Sequence, residues 1–254
     1  MRALATAAAI FATCAAGESG TVVDVVDGDT LRLSSETGTS TVRLLGVDTP
    51  ELGRADHTAE FLAKEAHAFT RALVDGRRVR LERDATGDTV DRYGRALGYV
   101  FLDDGRLLNA LILSEGYGQA YTRFPFSRID EFRRLEREAR EAGRGLWDPR
   151  RVPTLAAADA LAHAGRTATV CDRVASTRYL RSASGEPTFL NLARPYPDQP
   201  LTVVIWGADR PNFDEPETRL RDRTICVTGK IRRFGGHAEI AVNDPSQIVV
   251  GPPS

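Results

Sequence analysis

Acidic side chains and arginines are concentrated in three short segments: Val-Asp-Gly-Asp-Thr at 26–30, Arg-Leu-Leu-Gly-Val-Asp-Thr-Pro-Glu at 43–51 and Asp-Arg-Tyr-Gly-Arg at 91–95. Each segment is weak evidence by itself, because Asp-Gly-Asp is a common turn sequence and Asp-Thr-Pro-Glu is a common helix start. Together they hold oxygen ligands, a candidate general base and two fixed cations. That combination is a complete set of groups for hydrolysing a phosphodiester.

Asp29, Asp48 and Thr49 offer oxygen ligands for a metal ion. The two carboxylates stand near the ends of predicted strands, and Thr49 supplies a peptide carbonyl beside Pro50. Carboxylates, carbonyls and water are the ligands that Ca²⁺ accepts in its flexible coordination shell. The four histidines lack the spacing of metal ligands, and no cysteine lies in the three segments. The pattern therefore predicts calcium rather than zinc.

Glu51, Arg43 and Arg95 supply the remaining groups that hydrolysis needs. Glu51 follows Asp48 by three residues, close enough to take a proton from a water beside the metal. The two guanidinium groups can bind phosphoryl oxygens and stabilise the charge that develops on them. Taken singly, Arg43 could equally form an ordinary salt bridge on a strand, and Arg95 could be a surface cation on a hairpin.

The elements that must position these residues are mostly strands. Alternation and β-branched residues predict strands over 21–26, 30–33, 41–45, 79–82 and 96–101. Apolar residues at helical spacing predict helices over 62–73, 107–115 and 127–142. The last of these is highly charged, with an apolar stripe of Ile129, Phe132, Leu135 and Ala139.

A second group of strands follows a spacer of small residues at 151–165. These strands are predicted over 166–174, 188–192, 201–206, 224–232 and 238–242, with a helix or long connection at 219–223. Five short strands within about 85 residues suggest a small barrel. The chain is thus expected to hold a catalytic domain at 18–150, a linker at 151–165 and a second domain at 166–254.

The composition is that of a globular protein, with 27% charged and 42% hydrophobic residues. The formal net charge of −1 argues against strong non-specific binding to nucleic acid, so any such role must come from a local site. Nearly all the cations are arginines, and the only lysines are Lys64 and Lys230. Arginine suits planar, bidentate contacts to phosphate.

Residues 1–17 are predicted to be an export signal, because Arg2 is followed by an apolar stretch too short to span a bilayer. Cys14 could instead be the lipidated cysteine of a bacterial lipoprotein, and a buried N-terminal helix is a further alternative. Cys171 and Cys226 lie in predicted strands. In an exported domain they could form a disulfide, and two buried thiols that never meet are the alternative.

The three segments, with Ala-Arg-Glu-Ala-Gly-Arg-Gly-Leu-Trp at 139–147, resemble the motifs of the staphylococcal nuclease, or thermonuclease, family. The resemblance covers residues 20–148. It implies a mainly β fold with helices, a five-stranded OB-type barrel with three helices. It implies a calcium-dependent endonuclease that cuts DNA or RNA and leaves a 5′-hydroxyl and a 3′-phosphate.

The resemblance also assigns roles to individual residues. It implies Asp29, Asp48 and the Thr49 carbonyl as Ca²⁺ ligands, Glu51 as the base, and Arg43 and Arg95 as the groups that bind the phosphate in the transition state. Asp27 matches a carboxylate in the outer shell of the metal, and Tyr93 and Tyr121 match aromatics that line the nucleotide pocket. Tyr121 could also be an aromatic packed at the barrel edge. The loop 52–57 departs from the family pattern, as do Arg123, Phe124 and Phe126 where a second tyrosine is common.

The second domain resembles bacterial OB-fold domains that are fused to nucleases, with residues 240–248 as its last strand. This resemblance implies that Cys171 and Cys226 lie on neighbouring strands, which favours the disulfide. OB barrels bind single strands with exposed aromatics and a basic groove, for which the candidates here are Arg178, Tyr179, Arg181, Trp206, Arg232, Arg233 and Phe234. The alternative is that these aromatics pack in the core or rim and that the arginines form a solvated face.

The function expected from the sequence is that of a monomeric, exported nuclease that prefers single-stranded substrate. One alternative is a catalytically inactive module of the cell envelope that binds nucleic acid or protein. Loss of a hydrolytic residue would favour that alternative, but all five are present: Asp29, Asp48, Glu51, Arg43 and Arg95. Another alternative is a structural envelope protein anchored through Cys14.

Overall fold

The computed structural model describes residues 17–53 and 58–251. The predicted export signal lies outside the described residues except for Gly17, as does the 54–57 part of the loop that departs from the family pattern. In the described part of the chain, no helix is long and apolar enough to cross a membrane.

The first half of the chain is a barrel with three helices. Its strands are β1 (Glu18–Asp27), β2 (Thr30–Ser35), β3 (Gly38–Leu44), β4 (Val47–Asp48), β5 (Arg78–Glu82), β6 (Ala96–Leu102) and β7 (Gln119–Ala120). Its helices are α1 (Ala63–Val74), α2 (Leu108–Ser114) and α3 (Ile129–Glu141).

The first barrel closes in the order β1-β2-β3-β6-β5. Neighbouring strands are antiparallel except β3 and β6, which run parallel. Alternation explains the core: Leu31 and Leu33 on β2 point inward and are buried, while Arg32 between them is exposed. β4 and β7 form a separate two-stranded pair beside the barrel. The expected five-stranded OB-type barrel with three helices is confirmed.

The second half of the chain forms a second barrel. Its strands are β8 (Thr154–Ala156), β9 (Thr167–Tyr179), β10 (Thr188–Leu192), β11 (Leu201–Ile205), β12 (Thr224–Phe234), β13 (His237–Ala241) and β14 (Ile248–Val250). The order β9-β10-β11-β13-β12 closes through pairing of β12 with β9, and β11 and β13 run parallel. The two barrels therefore have the same strand order. The expected second small β-barrel is confirmed.

Two local predictions for the second half differ from the structure. The spacer 151–165 carries β8, which pairs in parallel with β9, and a 3-10 helix at Ala157–His163. Ala157 and Ala160 are fully buried in the core of the second barrel, because side chains this small let the helix approach it closely. The single last strand expected over 240–248 is wrong, as β13 ends at Ala241. A 3-10 turn capped by Asp244 precedes β14.

The connection between β11 and β12 contains a four-residue helix, α4 (Pro216–Arg219), which overlaps the position predicted at 219–223 by one residue. Cys171 and Cys226 lie directly opposite each other on β9 and β12 and form a disulfide. The disulfide prediction is therefore confirmed, and the alternative of two separate thiols is wrong.

The charged face of α3 packs against the second barrel. Arg133 donates to Asp209 at 2.5 Å and to the carbonyl of Ala208 at 2.8 Å, and Thr122 donates to the same aspartate at 2.9 Å. Buried Glu136 accepts a hydrogen bond of 2.9 Å from Asn243 of the second barrel. Charges on α3 thus hold the two barrels together, while its apolar stripe, including buried Phe132, faces the first core.

Candidate active site

The tight turn between β1 and β2 places Asp29 at the bottom of the candidate site. Asp29 is buried, and its carboxylate accepts the Thr49 backbone N–H at 2.8 Å and the Thr30 hydroxyl at 3.1 Å. The turn fits closely under β4, because a Cβ atom at Gly28 would lie 2.7 Å from the Thr49 hydroxyl oxygen. Asp27 is also buried and accepts the N–H of Asp29 at 3.3 Å. The Asp-Gly-Asp turn is thus tied to the segment that carries Asp48.

Arg43 joins the two predicted metal-binding carboxylates. It lies on β3 opposite Thr30, and its guanidinium is paired with Asp29 and, at 3.3 Å, with Asp48. Two acids that are 19 residues apart in sequence therefore face one guanidinium. The single salt bridge on a strand that the sequence left open is in fact a three-residue cluster.

Burial lowers the pKa of Arg43, and the positive charge of Arg95 lowers it further. The negative charges of Asp48, Asp27 and Glu51 act in the opposite direction. Asp48, Glu51 and Arg95, which are predicted to take part in hydrolysis, therefore lie close enough to Arg43 to act on its charge. Two neighbouring guanidinium groups repel each other, and a phosphate between them would relieve that repulsion.

Asp29, Asp48 and Thr49 fit a cation that prefers oxygen ligands. Their candidate donors are all oxygens, and the two carboxylates already converge on the positive charge of Arg43. Among the residues that the structure describes, no group of three or more His, Cys, Asp or Glu side chains could hold a metal by themselves. The Thr49 carbonyl stays a predicted ligand.

Glu51 is exposed at the mouth of the site, and Glu60 fixes its backbone. The N–H of Glu51 donates to the Glu60 carboxylate at 2.8 Å, and the N–H of Glu60 donates to the Glu51 carbonyl at 3.0 Å. Nearby protein atoms displace some of the water around the Glu51 carboxyl, and this desolvation raises its pKa; the negative charge of Asp27 raises it further. Sequence reasoning missed Glu60, which lies just beyond the loop 52–57.

The Asp-Arg-Tyr-Gly-Arg segment forms a turn that orients Arg95. The Arg95 Nε donates to the Asp91 carboxylate at 2.7 Å, and the Arg95 backbone N–H donates to the same carboxylate at 2.9 Å. The Arg95 guanidinium lies 5.3 Å from the centre of the Tyr93 ring. Tyr93 itself is 66% exposed, which leaves its ring free to contact a ligand.

Tyr121 lies at the boundary between the two barrels. Its backbone N–H donates to the Gly46 carbonyl at 2.9 Å, directly after β7. Its half-buried ring lies 5.9 Å from the Arg232 guanidinium of the second barrel and 6.1 Å from the exposed ring of Phe124. Phe126, another departure from the family pattern, is buried against Phe132 in the first core.

Two cations from the second barrel reach the first barrel's acids. Arg232 donates to the Asp48 carboxylate at 2.6 Å. The Lys230 ammonium lies 3.6 Å from Asp48 and 2.6 Å from Glu60. Burial alone would raise the pKa of Asp48, but the charges of Lys230, Arg232 and Arg43 lower it to about 2.

Sequence reasoning named Arg232 only as a candidate for strand binding and gave Lys230 no role. Their spacing of two residues on β12 puts both side chains on one face, which is the one available signal. The packing of α3 against the second barrel decides which part of the chain this face of β12 contacts. No local pattern encodes that packing.

Comparison with known proteins identifies the family of the first barrel. Residues 41–149 match the family described as Staphylococcal nuclease homologue. A thermonuclease of Staphylococcus intermedius is 35% identical over 136 residues, which are 52% of this chain and 77% of that protein. Endonuclease YncB of Bacillus subtilis is 36% identical over 124 residues, which are 48% of this chain and 58% of that protein.

The SPbeta prophage-derived endonuclease YokF of Bacillus subtilis is 35% identical over 124 residues, which are 48% of this chain and 41% of that protein. The chain therefore spans two fifths to three fifths of the length of the two Bacillus relatives. The matched region holds Arg43, Asp48, Glu51 and Arg95, and ends before the second barrel. The chain belongs to the staphylococcal nuclease family.

Proposed function

We propose that this protein is a calcium-dependent endonuclease that hydrolyses phosphodiester bonds of DNA or RNA. One observation carries the proposal: Asp29 and Asp48 converge on Arg43, and the charges of Arg95 and Glu51 act on that same guanidinium. Membership of a nuclease family and the names of the relatives support the reaction class.

In this proposal, each side chain has one role. Asp29, Asp48 and the Thr49 carbonyl would hold Ca²⁺, which supplies a Lewis acid beside the reacting phosphate. Glu51 takes the proton of the attacking water. Arg43 and Arg95 bind the phosphoryl oxygens and stabilise the charge that develops on them.

The surroundings of these groups favour this division of roles. Glu51 is exposed, and its backbone is anchored by Glu60, so its carboxylate can turn toward a water. Arg95 is held by Asp91 and Arg43 is held by two buried or half-buried acids. Cations that are already oriented lose little freedom when the phosphate binds, which makes their stabilisation of the transition state more effective.

Single-stranded substrate and cleavage that leaves a 5′-hydroxyl and a 3′-phosphate are part of the proposal, as is action as a monomer. Export from the cytoplasm is proposed too, and the Cys171–Cys226 disulfide supports it because such bonds persist in oxidising compartments. Comparison of the periplasmic or culture fraction with the cytoplasm by immunoblot tests the export.

Cleavage of a fluorescent single-stranded DNA with Ca²⁺ and with EGTA tests the activity, alongside Glu51→Gln. We expect Ca²⁺-dependent cutting that falls at least about a hundredfold in the E51Q protein, the usual contribution of a general base. Glu115→Gln, at an exposed glutamate after α2, is the matched control and should cut normally. A protein that binds the strand but cuts nothing with Ca²⁺, Mg²⁺ or Mn²⁺ would be a binding module instead.

A further inference from the structure

A continuous groove leads from the candidate active site across the face of the second barrel. It begins as a cleft of about 260 Å³ between the barrels, where Asp48, Tyr121, Arg232 and Trp206 are among the lining residues. It continues as a cavity of about 540 Å³ that reaches Tyr196. Phe189, Phe234 and Glu239 line both cavities, so the two adjoin each other along the groove.

The groove lies on one side of the second barrel and uses its loops as well as its strands. Phe189 comes from β10 and Glu239 from β13, while Phe234 ends β12 at the turn before β13. The connection between β9 and β10 borders the end of the groove that is nearer the candidate active site. A Cβ atom at Gly185 in this connection would lie 3.1 Å from the Trp206 ring. In five-stranded barrels of this order, this face and these loops are where oligonucleotides can be held.

Aromatic side chains are spaced along the groove, and two of them face solvent. Phe234 and Tyr196 are each 71% exposed, and Trp206 is half-buried. Exposure on this scale rules out the alternative that Phe234 packs in the core. Aromatic rings that lie open along a groove are platforms on which unpaired bases stack.

The charges along the groove suit a phosphate backbone. Arg123 lies 4.6 Å from the centre of the Trp206 ring. Arg123, Arg178 and Arg233 form no ion pair with any residue that the structure describes. Of the acids in the lining, Asp209 is paired with Arg133, and Glu136 is paired with Arg140.

Glu239 is the remaining acid on the path, apart from Asp48 itself. Burial raises the pKa of its carboxyl, while the charges of Arg232 and Arg123 act on it in the opposite direction. The three arginines without a described partner therefore leave the groove with cations available for a polyanion.

We propose that this groove binds the single-stranded nucleic acid that flanks the scissile phosphate. Bases stack on Trp206, Phe234 and Tyr196, and the backbone passes Arg123 and Arg233 on its way to Asp48. The position of the groove at the active site rests on the proposed nuclease function, whereas strand binding by the groove does not. The second barrel thus makes affinity depend on substrate length and on access to unpaired bases.

Fluorescence anisotropy with labelled oligothymidylates in EDTA tests the proposal, because binding is then measured without cleavage. OB barrels cover roughly 4–16 nucleotides, so the protein should bind a strand of about 12 nucleotides far more tightly than one of about 3. Phe234→Ala and Trp206→Ala should each weaken binding of the longer strand about tenfold, the usual loss for one stacked base. Phe234→Tyr keeps a ring and should restore binding.

Val249→Ala is the matched control, since Val249 is 58% exposed and lines neither cavity. If the F234A and W206A proteins bind the longer strand as the unaltered protein does, the groove proposal is overturned, even when cleavage is normal. It is equally overturned if a duplex binds as tightly as the single strand and with the same sensitivity to these variants. If the protein cuts nothing but these variants lose binding, the groove stands and the nuclease proposal fails.

Discussion

The two barrels have the same strand order, but the connection between the first and second strands differs between them. In the first barrel, β1 and β2 are joined by Gly28 and Asp29 alone, and that turn carries a candidate metal ligand. In the second barrel, β9 and β10 are joined by the longer loop 180–187, which borders an aromatic groove. The barrel topology itself therefore does not decide function; the loops and strand ends do.

The barrels also differ in what stabilises them. The first has three helices packed on it, including α3 with buried Phe132. The second is mostly strands, with a disulfide between β9 and β12. The comparison predicts that substitutions at the first barrel's acidic turn affect the reaction, whereas substitutions in the second barrel affect stability, positioning and substrate binding.

The largest expected effect comes from Arg43→Lys. Lysine keeps the charge but cannot pair with both acids and a phosphate through a planar fork. We expect kcat/KM to fall about a hundredfold to a thousandfold, the typical loss when one preorganised group that stabilises the transition state is removed. Steady-state kinetics on single-stranded DNA measure it.

Arg32→Lys is the matched control, because Arg32 is an exposed arginine on the neighbouring strand β2. It should cut at the normal rate. If both variants were equally active, Arg43 would have no special part in the reaction. The proposal that the first barrel carries the reaction would then be contradicted.

Removing the disulfide tests the other side of the comparison. The double substitution Cys171→Ala with Cys226→Ala should lower the free energy of unfolding by about 2–4 kcal/mol, since the bond closes a loop with a sequence separation of 55 residues. Cleavage at low temperature should survive, because neither cysteine lies at the candidate site. Urea unfolding measures the loss.

A reducing agent provides the control for that measurement. It should lower the unfolding midpoint of the unaltered protein and leave the double variant unchanged. Equal midpoints for the two proteins under oxidising conditions would mean that the disulfide does not stabilise the second barrel.

Much of this arrangement could be predicted from the sequence, because it depends on local patterns. Alternating Leu31, Arg32 and Leu33 indicate a strand with one buried face, and the turn before them is indicated by Asp-Gly-Asp. The same patterns predicted the strands of the second barrel. The resemblance to a known family then grouped the acids and arginines, and the structure places them together around Arg43.

What could not be predicted depends on contacts between distant segments. Residues 151–165 are small and varied enough to suggest a linker, and only the second barrel's core explains why Ala157 and Ala160 are buried. Lys230 and Asp48 are 182 residues apart, and their contact follows from the packing of α3 on the second barrel. No periodicity in either segment encodes such a contact.

Lys230→Met would show how far the second barrel takes part in the first barrel's chemistry. Lys230 neutralises Glu60, which fixes the backbone of Glu51, and it also lies near Asp48. We infer that it is a positioning residue, and residues that orient metal ligands contribute about tenfold to a hundredfold. The variant should lower kcat about tenfold and change KM little.

The chain offers a matched control in Lys64, its only other lysine, which is exposed on α1. Lys64→Met should leave kcat unchanged, and Lys230→Arg should recover most of the lost rate by keeping the charge. A merely structural role would appear instead as equal losses in the K230M and K230R proteins, with a lower unfolding midpoint in each.

The smallest expected effect concerns a buried acid of the first barrel, Asp84. Burial alone would raise its pKa, but hydrogen bonds from Ser127, Thr86 and Tyr99 lower the pKa below the usual range. A lowered pKa means that the ionised carboxylate stabilises the fold above the unfolded pKa of about 4, and that this stabilisation is lost as the pH falls through the folded pKa. Asp84→Asn should therefore cost about 1–2 kcal/mol near neutral pH.

That cost should shrink as the pH is lowered below about 4, because the carboxyl of the unfolded chain then takes up a proton, and it should be lost as the pH falls through the folded pKa. Urea unfolding at neutral pH and in acid measures the difference, with Asp104→Asn as control, because Asp104 is an exposed acid paired with Arg106. The second barrel's Asp209 has the opposite shift, since burial raises its pKa to about 6 despite the hydrogen bonds from Arg133. Asp209 therefore favours the fold less as the pH rises from about 4 to 6, whereas Asp84 already contributes fully there. A cost of Asp84→Asn that did not change with pH would mean that the hydrogen bonds, rather than the charge they stabilise, account for the role of Asp84.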